Sequence, residues 1–84
     1  MADGATVPKS TDPQQFVLRV TRRIAEVRRE RGVTQEELAA RLGMAVRGLQ
    51  RIEAGQNITL HTLARIASAL DVRPDELLAT PGVG

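Results

Sequence analysis

The stretch "TQEELAARLGMAVRGLQRIEAGQN", Thr34 to Asn57, limits the fold more than any other part of the chain. Thr34 and, three residues later, Glu37 form the signature of a capping box, which starts a helix by satisfying its first free amides. Leu38, Ala39 and Leu42 then make a helical apolar stripe that Gly43 stops. Met44, Leu49 and Ile52 make a second, shorter stripe that runs to Gly55. Two helices separated by about three residues of turn around a Gly cannot lie side by side as a long antiparallel hairpin. They must cross steeply, and a steep crossing turns one of them outward.

The rest of the chain supplies a scaffold for that pair. Asp12 followed by Pro13 predicts a helix start, Phe16, Val20, Ile24 and Val27 recur at helical spacing, and Gly32 supplies a left-handed stop. Asn57 to Thr59 form a loop, Thr59 caps a fourth helix with a stripe of Leu60, Leu63, Ile66, Ala67 and Leu70, and Asp71-Val72-Arg73 breaks it. Pro74 can open a short fifth helix carrying Leu77 and Leu78. No segment alternates as a strand does. The expectation is an all-α domain of five helices over residues 12–79, the second and third forming a helix-turn-helix. Residues 1–11 mix Gly, Pro, Ser and Thr without apolar periodicity and predict a disordered arm, with 80–84 a flexible tail.

Composition narrows the chemistry. A chain of 84 residues holds one modest core and leaves no space for a roomy catalytic cleft or a small-molecule pocket, and Phe16 is its only aromatic residue. The absence of Cys excludes disulfides, thiolate catalysis and Cys-based zinc sites, and suits a reducing, cytoplasmic location. No apolar stretch has the length of a signal peptide or a membrane span, so no membrane partner is expected. His61 stands alone, without a second His, Cys or carboxylate at ligand spacing, and is expected to be exposed or capping. Glu36 and Glu37 point about 100° apart on a helix and form no carboxylate dyad. Gly43 and Gly48 have the glycine spacing of a phosphate loop, but Leu49 and Gln50 follow where Lys and Ser or Thr are needed. The expectation is no enzyme, no metal and no cofactor.

Charge points to an anion without fixing one. Net charge is only +2, yet of the 12 basic residues all but Lys9 are Arg, and Arg19, Arg22, Arg23, Arg28, Arg29 and Arg31 crowd the first helix, while Asp71, Asp75 and Glu76 sit at the other end. A nucleic acid fits this polarity. So does a solvated helix face in which Glu26 and Glu30 pair with Arg22 or Arg23. A membrane-surface role for the first helix conflicts with its need to supply the core. On a wheel of the third helix with Leu49 and Ile52 inward, Val46, Arg47, Gln50 and Arg51 fall on the opposite side. Arg forks to guanine, Gln pairs with adenine and Val touches a thymine methyl, although an ordinary soluble surface carries the same residue types.

The segments "RRERGVTQEELAARLGM", "LQRIEAG" and "TLHTLARIASALDVRPDELL" resemble the Cro/repressor-type helix-turn-helix regulators, also called the xenobiotic response element family. The likeness spans nearly everything from Arg28 to Leu78. It implies a lambda-repressor-like domain whose third helix lies in the major groove, with Val46, Arg47, Gln50 and Arg51 at base-reading or groove-facing positions. It also implies that Gln35 binds a phosphate with its side chain and the helix N-terminal amides, that Arg41, Gln56 and Asn57 contact the DNA backbone, and that Arg28 and Glu53 form a buried structural ion pair. Three features depart from the family pattern. Ala45 stands where a Ser or Thr cap is usual, Gly48 loosens the third helix, and the loop from Gly55 to Leu60 is about a residue short and lacks the frequent Pro.

The implied function is a sequence-specific DNA-binding transcription regulator, acting as a repressor. Restriction-modification controllers and toxin-antitoxin regulators share the fold, and a protein-interaction module is the alternative from another class. Because one such domain covers few base pairs, a homodimer on a palindromic double-stranded operator is expected. Val72, Leu77 and Leu78 are the expected interface, with the fourth helix as the other candidate.

Overall fold

The computed structural model describes residues 12–78, and every regular element among them is a helix: α1 (Pro13–Glu30), α2 (Gln35–Leu42), α3 (Val46–Glu53), α4 (Leu60–Leu70) and α5 (Pro74–Leu78). The arm expected over 1–11, the domain boundary at 79 and the tail over 80–84 lie outside the described residues.

Local chemistry sets the helix ends. The Asp12 carboxylate accepts from the Gln14 amide at 3.2 Å, and Pro13 follows it without an amide to orphan. At the other end of α1, Gly32 takes φ +69°, which lets Val33 N–H donate back to the Arg28 carbonyl at 3.0 Å. The capping box of α2 is closed in both directions: Glu37 N–H donates to Thr34 Oγ1 at 3.0 Å, and Thr34 N–H donates to Glu37 Oε1 at 2.8 Å. That backbone bond from Thr34, reinforced by the Thr34 side chain, holds the Glu37 carboxyl below the usual carboxylate range. Its contribution is therefore present at neutral pH and fades only as pH falls through the lowered value. Gly43 ends α2 at φ +69°, Thr59 Oγ1 caps α4 from the Thr62 amide, and Asp71 ends α4 in the left-handed region.

Each helix gives the core at least one fully buried side chain: Ile24 from α1, Leu38 from α2, Leu49 from α3, Ile66 and Leu70 from α4, Leu77 from α5. Two residues of the expected stripes do not join them. Phe16 is 43% exposed and Leu60 80% exposed. Both sit in the first turn of their helices and at the margin of the apolar stripe, so helical spacing alone places them beside the core rather than in it.

The joint between α1 and α3 is polar. Arg28 Nε donates to Glu53 Oε2 at 2.6 Å and its Nη2 to Glu53 Oε1 at 3.2 Å, a two-point contact between side chains only 10% and 8% exposed. Arg28 Nη1 donates to the Val33 carbonyl at 2.9 Å, so the guanidinium is satisfied on three sides. Removing one partner would strand a buried charge. Glu53→Ala is expected to destabilise the fold by about 3–5 kcal/mol, far more than the roughly 1 kcal/mol of an exposed pair, and thermal unfolding measures it. An unchanged melting temperature would contradict the geometry's importance.

Candidate nucleic-acid interface

The outward face of α3 carries Arg47, Gln50 and Arg51, all exposed. Val46 is different. It is half-buried and packs against the core, because it lies at the edge of the wheel between the inward and outward directions. The helix has only 8 residues, and its N-cap, Ala45, has extended backbone but makes no side-chain cap bond. A single Gly48 interrupts its interior. α3 is therefore positioned by its buried Leu49 and Ile52 and by Glu53, with little help from its own ends.

The first turn of α2 lies against this face. Gln35 Nε2 donates to Glu53 Oε1 at 2.9 Å, and Gln50 Nε2 donates to Gln35 Oε1 at 3.3 Å. The Gln35 side chain, expected on a phosphate, is thus half-buried and engaged within the protein. Among the described residues its backbone amide and that of Glu36 make no hydrogen bond, which leaves the helix start open to an anion. A chain of polar contacts runs Arg28 to Glu53 to Gln35 to Gln50, from the interior to the outward face.

Most arginines are spent inside the molecule. Arg41 Nη1 donates to the Ala69 carbonyl at 2.9 Å, and Arg65 Nη2 donates to the Leu42 carbonyl at 2.6 Å, so α2 and α4 each cap the C-terminal end of the other. Arg41 was expected on the DNA backbone, and this contact assigns part of its guanidinium to α4. Arg23 pairs with Glu26 at 3.3 Å and Glu30 at 3.8 Å and donates to the Glu76 carbonyl, Arg31 donates to the Asp71 carbonyl, and Arg73 pairs with Asp75. The pairing left open for α1 therefore falls to Arg23 and leaves Arg22 out. Arg19 stacks over the Phe16 ring at 6.0 Å. Arg22, Arg29, Arg47 and Arg51 have no oxygen partner among the described residues.

The surroundings add two facts. Arg22 lies one turn from Leu18 on the same edge of α1, and Leu18 Cδ1 lies 3.0 Å from where a Cβ on Gly55 would stand, so Arg22 is on the side of α1 that meets the turn ending α3, with Arg29 on the same edge two turns further on. In that turn Gln56 is exposed. Asn57 is exposed too and borders an apolar groove formed by Phe16, Val17, Ile58, Leu60 and Leu78. Of the residues expected at an association surface, Leu77 is fully buried and Val72 packs against the core, whereas Leu78 is 42% exposed and lines the groove. The sequence concealed the groove because its members come from three separate helices and the loop before α4. His61 is exposed at the start of α4, and no group of three or more His, Asp or Glu among the described residues could hold a metal ion. No described helix is long and apolar enough to cross a membrane.

Comparison with known proteins agrees with this geometry. A family model described as helix-turn-helix matches residues 24–77. The chain is similar to an uncharacterized HTH-type transcriptional regulator, y4dJ, of Sinorhizobium fredii (strain NBRC 101917 / NGR234), with 46% identity over 55 residues, 64% of this chain and 71% of that protein. Its fold is similar to the crystal structure of the restriction-modification controller protein C.AhdI from Aeromonas hydrophila, with a TM-score of 0.70 and 31% identity over 75% of this chain and 97% of that one.

The weak ends of α3 give a prediction of their own. A Cβ on Gly48 would meet only Met44 Sδ, at 3.6 Å, and Ala45 already has the backbone of a capping residue. Gly48→Ala and Ala45→Ser should therefore each stabilise the protein by about 1 kcal/mol, read from chemical denaturation. A loss of stability in either variant would contradict the description of α3.

Proposed function

The chain belongs to the Cro/repressor-type helix-turn-helix family, a DNA-binding regulator of transcription, and we propose that it lays α3 in the major groove and reads base edges with Arg47, Gln50 and Arg51. One observation carries the proposal. Among the described residues the two arginines of the outward α3 face have no oxygen partner, while most others are tied to carboxylates or helix ends. Each can offer both N–H groups of its fork to guanine O6 and N7. Val46 sits at the margin, able to present a methyl to thymine from a half-buried position. Phosphates are held by the open amides of the first α2 turn and by Arg22 and Arg29, with Gln56 and the remaining donors of Arg41 at the periphery.

The protein acts as a homodimer on a palindromic operator, as a repressor whose two α3 helices are set about 34 Å apart. What supports a dimer is the groove of Phe16, Leu60 and Leu78, an apolar patch that a two-fold copy of itself would cover. A second reading within the class is a restriction-modification controller, favoured by the likeness to C.AhdI along 97% of that chain. Adjacent methyltransferase and nuclease genes would distinguish it.

Titration of labelled duplexes tests the base-reading claim. Arg47→Ala or Arg51→Ala should weaken the preferred site by about 1–3 kcal/mol and random DNA far less, relaxing the preference at one position. Arg22→Ala should leave the preference intact and lower the salt slope by about 1. If both α3 variants keep the specific-to-random ratio, the outward face serves a protein partner instead. For the dimer, Leu60→Asp should convert a two-fold species to monomer in sedimentation and weaken binding to a palindrome. A wild-type protein that stays monomeric at high concentration and binds a palindrome one-to-one would contradict it.

A further inference from the structure

We propose that Met44 is a modification site: its thioether takes an oxygen atom from a peroxide, and the sulfoxide releases the start of α3, which lowers affinity for the preferred DNA. The effect on DNA rests on the assignment of α3 as the base reader, whereas the chemistry at sulfur does not. Composition singles the residue out. The chain has no Cys, Trp or Tyr, so Met1 and Met44 carry the only side chains that a peroxide oxidises readily, and Met44 is the one among the described residues.

Its place couples the sulfur to the reader. Met44 follows the left-handed Gly43, and its N–H donates to the Ala39 carbonyl at 3.0 Å while Gly43 N–H donates to the Ala40 carbonyl at 3.1 Å. This pair of bonds is a Schellman stop, which an apolar contact from the residue after the glycine completes. Met44 is half-buried and packs against the core, as that motif requires. Its other side reaches α3. Met44 Sδ lies 3.6 Å from where a Cβ on Gly48 would stand, and apart from the helix's own backbone and the two chain neighbours of Gly48 nothing else comes within 4 Å. The missing side chain leaves the sulfur bordered by open space, where a small oxidant reaches it. Ala45 makes no side-chain cap bond, so the thioether is a main support of this end of α3.

Oxidation changes what that support can do. The sulfur attacks one oxygen of hydrogen peroxide, an S–O bond forms as the O–O bond breaks, and the departing hydroxide takes up the proton to leave as water. Sulfur loses two electrons and the peroxide gains them. A polar sulfoxide costs more to hold in a half-buried apolar contact than a thioether does, so the side chain turns to solvent and the link between the end of α2 and the first turn of α3 is lost. Leu49, Ile52 and Glu53 still hold the rest of the helix, so the domain stays folded while the turn that carries Arg47 loosens. Binding must then restore that turn, and the apparent affinity falls with the fraction of molecules in which it is formed.

The test treats the full chain with dilute hydrogen peroxide, locates the added oxygen by mass spectrometry, and titrates preferred and random duplexes before and after, for wild type, Met44→Leu and Gly48→Ala. Wild type should gain an oxygen at Met44, melt at a lower temperature yet keep its helical circular dichroism at the assay temperature. It should then bind the preferred duplex about 5-fold to 150-fold more weakly and random DNA with far less change. A methionine sulfoxide reductase should restore the affinity. Met44→Leu, which keeps the size and apolarity of the side chain, should bind as untreated wild type does and stay insensitive to peroxide. Gly48→Ala, whose added methyl meets the sulfur, should take up oxygen at Met44 more slowly than wild type. Failure of Met44 to oxidise, a sulfoxide there that leaves the preferred duplex bound as before, or a loss that persists in Met44→Leu would each overturn the proposal. Equal oxidation rates in Gly48→Ala and wild type would overturn it as well. If Arg47→Ala and Arg51→Ala keep the specific-to-random ratio, base reading by α3 fails, and the mass and melting temperature of the oxidised protein, measured without DNA, still decide whether Met44 is the site.

Discussion

The contact between Arg28 and Glu53 decides how α3 is held. A helix of 8 residues without a side-chain cap and with a Gly in its interior has little stability of its own. Leu49 and Ile52 bind it to the core, but apolar contacts tolerate rotation and sliding better than a forked, two-point ion pair does. The guanidinium accepts the carboxylate in one plane only, and Val33 fixes that plane from behind. Two buried apolar residues of the same size could match the pair in stability, because desolvating both charges costs much of what their attraction returns. What the ion pair supplies is orientation: it fixes which side of α3 faces outward, and through Gln35 it reaches Gln50 on that outward face.

Arginine serves two opposite purposes in this chain. In Arg28, Arg41 and Arg65 the guanidinium replaces contacts that a small all-helical domain otherwise lacks, tying α1 to α3 and α2 to α4 through side chains that end on carbonyls or carboxylates. In Arg22, Arg29, Arg47 and Arg51 it lies on the surface without an oxygen partner among the described residues. A net charge of only +2 hides this division, since Glu53, Glu26, Glu30 and Asp75 pair with Arg28, Arg23 and Arg73 and, among the described residues, no carboxylate pairs with Arg22, Arg29, Arg47 or Arg51. The arginines without an oxygen partner among the described residues lie on α3 and along one edge of α1, where a polyanion can meet them.

Features whose physics is local were legible in the sequence. The caps at Asp12, Thr34 with Glu37, and Thr59 involve partners two or three residues apart, and the left-handed turns at Gly32 and Gly43 follow from glycine's freedom. The turn from α2 to α3 and the outward position of Arg47, Gln50 and Arg51 follow from helical geometry. The contacts that complete the site cross the chain: Gln50 meets Gln35 at a separation of 15 residues, Gln35 meets Glu53 at 18, and Arg41 reaches Ala69 at 28. No local pattern encodes such pairs. Phe16 and Leu60 failed for another reason, since a residue at the margin of a stripe and in the first turn of a helix is covered only if a neighbour extends over it.

Methylation interference on a duplex selected from a random pool tests the central claim most directly, because dimethyl sulfate marks guanine N7 in the major groove and adenine N3 in the minor groove on the same strand. Docking of α3 in the major groove predicts that duplexes methylated at guanine N7 within each half-site are excluded from the bound fraction, while those methylated at adenine N3 are retained. Exclusion at adenine N3 alone, or no exclusion at any base, would contradict it.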